Sequence, residues 1–170
     1  PDLTARAGAL LADLGLIAPG AAVQVRPLTG GVASDIAAVT LPDGRAVCVK
    51  FALARLRVAA DWRAPVHRNR AEYAWLSAAA SIVPGAVPQL CGWSAAQNGF
   101  AMEYLAGPDI RLWKADLLAG RAPPLAAQVG DTLGRIHAAS TRPGFDRTPF
   151  ANMADFEALV IPAAAKGLEL

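Results

Sequence analysis

The chain has 170 residues, of which 54% are apolar, and a formal net charge of +2, too near neutrality to favour nucleic-acid or membrane binding. No apolar stretch reaches the about 18 residues of a transmembrane helix, and the N-terminus lacks signal-peptide features. The two cysteines, Cys48 and Cys91, have no metal-type spacing, so we expect a cytoplasmic protein of one domain, or of one domain and part of another.

The first fifty residues combine one helical pattern with three strand-like patterns. Leucine and alanine recur at helical spacing after Asp2, which predicts a helix over residues 3–14. Three short β-type segments follow at residues 23–28, 36–41 and 46–51. The Asp-Gly pair in the turn 42–45 favours a hairpin between the last two, so we predict three antiparallel strands.

The next sixty residues complete this unit. Residues 53–66 carry no regular pattern, and a helix is predicted over 67–80. Two more strands are predicted at 90–93 and 100–105, which gives a five-stranded antiparallel sheet with a packed helix and an α+β fold class. The Gly107-Pro108 pair ends the pattern.

Because of that break we predict a first domain over residues 1–106 and a partial helical domain over 107–170. Its predicted helices cover residues 111–118, 125–139 and 153–160, with a loop at 145–152. The alanine-rich tail 163–170 has no predicted role.

Three features of the first domain could carry chemistry, and the first is a glycine turn. Gly30 and Gly31 lie between two predicted strands and precede Ser34. Glycine lets backbone N–H groups approach phosphate oxygens, and the serine hydroxyl can donate as well. The alternative is an ordinary hairpin turn, since a Gly-Gly pair alone has low specificity.

The second feature is Lys50, the only charged residue of the segment 47–51. A buried ammonium group needs a partner, because an unpaired buried charge costs several kcal/mol, on the order of 3–5. The alternative is an edge-strand lysine that reaches solvent. Cys48 lies two residues earlier and shares the same face, where a small side chain leaves room for a flat ring.

The third feature is Glu72, in the middle of the helix that follows the lysine strand. A Lys50–Glu72 pair would hold the ammonium group towards phosphates. The alternative is a solvated glutamate that pairs with Arg68 four residues earlier, which is worth only about 0.3–0.5 kcal/mol.

The order of these features is more specific than any one of them. A glycine turn, a strand lysine about twenty residues later and a helix glutamate about twenty residues after that match the phosphate clamp of kinases. The sequence resembles the aminoglycoside phosphotransferase family, which also includes choline, homoserine and methylthioribose kinases. The segments that carry the resemblance are Leu28–Gly31 with Ser34, Val49-Lys50, Glu72 with Leu76, Val87-Pro88, Met102–Leu105 with Gly107, and Leu133–His137.

The resemblance covers residues from about 20 to 140 and implies a protein-kinase-like first lobe that binds ATP, or GTP, with Mg²⁺ in the complete enzyme. Gly30, Gly31 and Ser34 would cover the phosphates, and Lys50 would bind the α- and β-phosphates, oriented by Glu72. The residues implied around the purine are Cys48, Met102, Glu103, Tyr104 and Leu105. Of these, the Glu103 carbonyl and the Leu105 N–H would bond the base.

The sequence departs from the family in one respect. The family's catalytic loop, His-x-Asp-x-x-x-x-Asn, follows neither His67 nor His137. We therefore assign no catalytic residue and no metal ligand, and expect little turnover from this chain, because positioning and electrostatics dominate phosphoryl transfer.

Three interpretations follow. The first is a small-molecule kinase that transfers the γ-phosphate to a hydroxyl group, with a nucleotide and a small-molecule acceptor as partners. The second is a pseudokinase-like interaction module that binds nucleotide without turnover. The third is an α+β domain in which Lys50 and Glu72 are structural. We also expect self-association through apolar faces of the helices after Pro108.

Overall fold

The computed structural model describes residues 2–29, 31–121 and 125–166. Its helices and strands, in chain order, are α1 (Leu3–Asp13), β1 (Gln24–Leu28), β2 (Ser34–Thr40), β3 (Ala46–Ala52), α2 (Asn69–Ile82), β4 (Leu90–Ser94), β5 (Gly99–Glu103), α3 (Trp113–Leu118), α4 (Ala126–Ser140) and α5 (Met153–Lys166). Single 3₁₀ turns cover Val66–Arg68 and Thr148–Phe150.

The five strands form one antiparallel sheet in the order β1-β2-β3-β5-β4. The hairpin between β2 and β3 closes as predicted: the Leu41 N–H donates to the Arg45 carbonyl at 2.8 Å, and Gly44 has a φ of +86°, which glycine adopts without a steric penalty. The predicted α+β class and five-stranded antiparallel sheet are confirmed.

Helix α1 packs on one face of the sheet and buries the main apolar core. Asp2 caps the helix by accepting from the Ala5 N–H at 2.8 Å. The core beneath it is formed by alternate residues of β2 and β3 with one face of the helix: Ala7, Leu10, Leu11, Ala37, Val39, Val47, Val49 and Phe51. Glycine is required at Gly99, where a Cβ would lie 2.5 Å from the Phe51 ring.

Helix α2 crosses the opposite face. Its Tyr73 ring packs against Phe100 of β5, with centroids 5.7 Å apart. At its first turn Asn69 is fully buried and donates from Nδ2 to the Asn98 carbonyl of the β4–β5 turn. These contacts fix α2 against the inner strands, so its next residues lie beside β3.

The segment between β3 and α2 is more ordered than its sequence indicated. The Leu56 N–H donates to the Trp62 carbonyl at 2.9 Å and the Ala64 N–H donates to the Ala54 carbonyl at 3.1 Å, on either side of a bridge between Arg55 and Arg63. Its buried side chains, Leu56, Trp62 and Ala64, pack against Ala33, Val58, Ala158 and Leu159. The segment therefore joins the glycine turn before β2 to α5 near the end of the chain.

Several predicted boundaries were wrong. The first helix ends at Asp13 rather than 14, and α2 begins at Asn69 rather than 67 because Pro65 precedes a 3₁₀ turn. The sheet spans 24–103 rather than 23–105, since β5 stops where the chain turns towards Gly107, whose φ is +125°. Helix α5 continues to Lys166 rather than 160, because alanine favours helix.

Large apolar side chains remain exposed in the part of the chain after Gly107. The most exposed are Leu112 (77%), Leu118 (80%), Met153 (68%) and Phe156 (54%). No helix within the described ranges is both long and apolar enough to cross a membrane. The predicted boundary at residues 106 and 107 stays a prediction.

We propose that these exposed apolar side chains mediate self-association, because such patches usually meet a partner. In light scattering the wild type is expected to run larger than a monomer, and a Leu112→Glu/Leu118→Glu variant as a monomer. The control is Ala95→Glu/Ala96→Glu, which adds the same charge at exposed positions of the β4–β5 turn and should associate like the wild type. A monodisperse wild-type monomer would contradict the proposal.

Candidate functional site

The face of the sheet opposite α1 carries three of the predicted site residues in neighbouring positions. In the strand register Cys48 lies between Ala38 of β2 and Met102 of β5, and Lys50 lies two residues further along β3. Alternation places Cys48, Lys50 and Met102 on the same face. The structure therefore brings together the residues expected beside the purine and the residue expected at the phosphates.

Lys50 and Glu72 form an ion pair. The Lys50 ammonium group donates to Glu72 Oε1, with the lysine side chain 19% exposed and the glutamate 40% exposed. The lysine therefore does not extend freely into solvent, and it has the partner that a largely buried ammonium group requires. The pairing predicted from spacing is observed, and its role in phosphate binding stays a prediction.

The competing pair between Arg68 and Glu72 is not formed. The Arg68 guanidinium donates instead to backbone carbonyls, among them those of Ala33 and Leu53. Burial lowers the pKa of Arg68, and the nearby carboxylates of Asp155 and Glu72 oppose that shift. Glu72 is thus left to Lys50.

Cys48 is a small neutral residue beside this pair. It is buried, and burial raises the pKa of its thiol, while the Lys50 ammonium group opposes the shift. A thiol of raised pKa stays protonated at neutral pH and behaves as a small hydrophobe. The floor of the site between Ala38 and Met102 is therefore apolar and shallow.

The glycine turn, residues 29–33, lies between β1 and β2, and the start of β2 pairs with the end of β3. Gly30 lies outside the described residues. Gly31 is exposed, and a Cβ there would meet only the Ser34 carbonyl oxygen, at 4.0 Å. Ser34 is the first residue of β2 and pairs with Ala52. The turn and Lys50 are thus carried by adjacent strands, with open space beside the turn.

A buried carboxylate next to the turn was missed by the sequence analysis. Asp35, the second residue of β2, accepts from Arg6 of α1 at 2.6 Å and from Arg57 of the segment after β3. Asp35 lies on the face of the sheet that packs against α1 and is only 8% exposed. Its partners are 29 and 22 residues away, so no local pattern could identify it.

Residues 103–105, at and just after the end of β5, have three distinct environments. Glu103 pairs with Gln89, through its N–H to the Gln89 carbonyl at 2.7 Å and through its carboxylate to the Gln89 N–H at 3.1 Å. The Tyr104 hydroxyl accepts from Arg26 Nη2 at 2.6 Å. Leu105 is exposed, and within the described part of the chain its backbone makes no hydrogen bond.

The contact between Tyr104 and Arg26 crosses the candidate site. Arg26 pairs with Ala38 in the strand register, and Tyr104 follows Met102 by two residues. The two side chains therefore approach each other from opposite ends of the row that contains Cys48, and the guanidinium lies 5.5 Å from the ring centroid. Arg26 and Tyr104 thus connect the β1 side of the row to its β5 side.

Metal-ligating side chains do not cluster in the described ranges: no group of three or more His, Cys, Asp or Glu side chains there could hold a metal ion. His67 pairs with Asp155 at 3.2 Å, which links the start of α2 to α5. His137 lies exposed on α4.

Comparison with known proteins gives one family. A family model described as "Phosphotransferase enzyme family" matches residues 24–168, and no significant match was found among curated proteins. A crystal structure described as "putative fructosamine-3-kinase" from Thermobifida fusca is 24% identical, with a TM-score of 0.49. The alignment covers 99% of this chain and 56% of that one, so this chain spans little more than half the length of that protein.

We predict that Asp35→Asn lowers the free energy of unfolding by about 1–3 kcal/mol, because charge-assisted hydrogen bonds to two guanidinium groups are lost. The loss of unfolding free energy stays below that caused by breaking a fully buried ion pair, because the side chains of Arg6 and Arg57 are 27% and 56% exposed and can be hydrated by water. Denaturant unfolding measures the change. The control Asp61→Asn removes a carboxylate between two exposed arginines and should cost less than about 1 kcal/mol. Equal losses in the two variants would contradict the prediction.

Proposed function

The chain belongs to the phosphotransferase enzyme family, and from this premise we propose that it binds the nucleotide for an ATP-dependent small-molecule kinase. In that reaction an acceptor hydroxyl oxygen bonds to the γ-phosphorus, the bond from the γ-phosphorus to the bridging oxygen breaks, and ADP leaves. A general base takes the hydroxyl proton. The observation that carries the proposal is the Lys50–Glu72 ion pair beside the glycine turn.

Lys50 is proposed to bind the α- and β-phosphates. The Glu72 carboxylate restrains the ammonium group from one side, and its remaining hydrogens can donate to phosphate oxygens, because a lysine ammonium has three donors and no acceptor. Gly31 and Ser34 supply a backbone N–H and a hydroxyl from the adjacent turn, and Gly30 is proposed to act with them. Positioning of this kind is the main contribution of a protein to phosphoryl transfer.

The purine is proposed to lie over the row of Ala38, Cys48 and Met102. Two small side chains in the middle of a sheet leave room for a flat ring, which supports the fit of a nucleotide here. The Tyr104 ring, whose hydroxyl bonds to Arg26, is proposed as a stacking surface. The residues around this row therefore present apolar and aromatic surface to a base.

The polar contacts to the base are proposed to come from the backbone at the end of β5, through the Glu103 carbonyl and the Leu105 N–H. Leu105 is exposed and its backbone is free of other hydrogen bonds within the described ranges, so its N–H is open to a ligand. Recognition through one carbonyl and one N–H does not by itself choose between ATP and GTP.

Turnover is proposed to need residues that this chain does not place at the site. A Mg²⁺ ion would supply charge neutralisation between the β- and γ-phosphates, and the described residues offer no carboxylate cluster for it. The sequence also lacks the His-x-Asp-x-x-x-x-Asn pattern. The second candidate function is nucleotide binding without turnover, and a direct assay for ADP release would distinguish it from the first.

The acceptor is proposed to be a small molecule with a hydroxyl group, and neither nucleic acid nor a membrane is proposed as a partner. Cys48 and Cys91 are free thiols. Free thiols persist in reducing compartments, which supports the proposed cytoplasmic setting.

We predict that Mg·ATP raises the melting temperature of the chain and that Lys50→Ala abolishes the rise. Free ligand at about 100 times its Kd adds roughly 2.7 kcal/mol of stability, or about 5–10 °C for a domain of this size. Differential scanning fluorimetry with and without Mg·ATP measures the shift.

The matched control is Lys114→Ala, which removes an exposed lysine of α3 and should keep the full rise. A rise of equal size in Lys50→Ala and Lys114→Ala would show that any bound nucleotide does not use Lys50. The third interpretation, a domain with a merely structural ion pair, requires that Mg·ATP leaves the melting temperature of the wild type and of both variants unchanged.

A further inference from the structure

Arg68 has a guanidinium group that is almost fully enclosed by backbone carbonyls. Nη1 donates to Pro65 at 2.7 Å and to Ala64 at 3.2 Å, and Nη2 donates to Ala33 at 2.6 Å and to Leu53 at 2.9 Å. The residue is 9% exposed. An arginine stays protonated in proteins, so this is a buried cation that makes four hydrogen bonds to neutral backbone dipoles.

Two of these carbonyls belong to the parts of the chain that frame the candidate phosphate site. Ala33 lies in the glycine turn, directly before Ser34, and Leu53 follows β3 three residues after Lys50. The Ala33 carbonyl also accepts from the Leu53 N–H at 3.0 Å. One side chain and one backbone bond therefore join the turn to the end of the lysine strand.

The turn has a second backbone bond to the same segment. The Arg57 N–H donates to the Val32 carbonyl at 2.9 Å, so two consecutive carbonyls of the turn, those of Val32 and Ala33, point away from the open side. When carbonyls of a tight turn are bonded on one side, the neighbouring N–H groups are free to face the other. Such N–H groups form a concave site for an anion.

No other side chain could replace this arrangement with the same geometry. The guanidinium presents donors on two separate nitrogens in a rigid plane, whereas a lysine presents three donors on one atom. A lysine at position 68 would have all its donors on one nitrogen atom. It could not bond to the Ala33 and Pro65 carbonyls at the separation that the two guanidinium nitrogens provide. Burial lowers the pKa of Arg68, and the Asp155 and Glu72 carboxylates offset part of this cost of enclosing a cation.

We propose that Arg68 is a positioning residue that holds the glycine turn in the conformation that receives the nucleotide phosphates. It acts through the Ala33 and Leu53 carbonyls and touches no substrate. The proposal rests on the proposed function, because the turn is taken as the phosphate site. Arg68 also links the start of α2 to the turn, while Glu72 links the same helix to Lys50.

The test compares Arg68→Lys with the control Arg63→Lys, whose arginine is 74% exposed and pairs with Asp61 at 3.4 Å. The first readout is amide hydrogen exchange at Leu53 and Arg57 in the ligand-free chain. The second is the ratio of the affinities for ATP and for adenosine, measured by calorimetry. For Arg68→Lys we expect exchange about tenfold faster and a ratio about tenfold lower, with adenosine affinity unchanged; the control should match the wild type.

The outcomes separate this inference from the proposed function. A wild type that binds ATP no better than adenosine overturns the proposed phosphate site, and amide exchange then still decides whether Arg68 holds the turn. A wild type that prefers ATP, with Arg68→Lys unchanged in both readouts, overturns the inference alone. A uniform loss of affinity for ATP and adenosine also overturns it, since that indicates general loosening rather than a change in the turn.

A measurement on the wild type covers the case in which Arg68→Lys does not fold. The Arg68 Nη–H resonances, slowed by four hydrogen bonds, should shift when ATP is added and stay in place with adenosine. Resonances that respond equally to the two ligands would contradict a role at the phosphates.

Discussion

Lys50 stands on an inner strand whose neighbours are apolar, so its ammonium group must meet an anion within the protein. That requirement constrains where the neighbouring helix can lie. The anion comes from Glu72, so α2 must cross the sheet at the height of Lys50. Asn69 and Tyr73, which flank Glu72, make the contacts that keep α2 there. The site is therefore a consequence of how one strand and one helix are packed.

The glycine turn depends on charges on both sides of the sheet. On the α1 side, Asp35 is held between Arg6 and Arg57. On the α2 side, the Arg68 guanidinium donates a hydrogen bond to the Ala33 carbonyl. A turn rich in glycine has high conformational entropy when free, and these contacts, together with packing of Ala33 against the buried cluster around Trp62, remove much of that freedom before a ligand arrives.

The sheet, the hairpin and the Lys50–Glu72 pair could be predicted because each leaves a local or periodic mark: strand-like runs, an Asp-Gly turn, a lone lysine among apolar residues. The contacts that anchor the turn leave none. Asp35 meets partners far away in sequence, and Arg68 bonds to carbonyls, which every residue possesses. The segment 53–66 looked irregular because its order comes from a few buried side chains rather than from repetition. Predicted boundaries failed at α2 and β5, where proline or glycine geometry decided the end of the element, and at α5, where an alanine-rich segment continues the helix.

Arg68 also explains why Glu72 is available to Lys50. Four residues separate the two, a spacing at which arginine and glutamate on a helix normally pair. Here the arginine precedes the helix in a 3₁₀ turn, and all its bonding is directed to carbonyls. Glu72 then affects Arg68 only through its field, while its oxygen binds Lys50. Removing Glu72 would leave the Lys50 ammonium group without its carboxylate partner, whereas removing Arg68 would leave the Ala33 and Leu53 carbonyls without their side-chain donor. The arginine therefore acts on the turn, and the glutamate acts on the lysine.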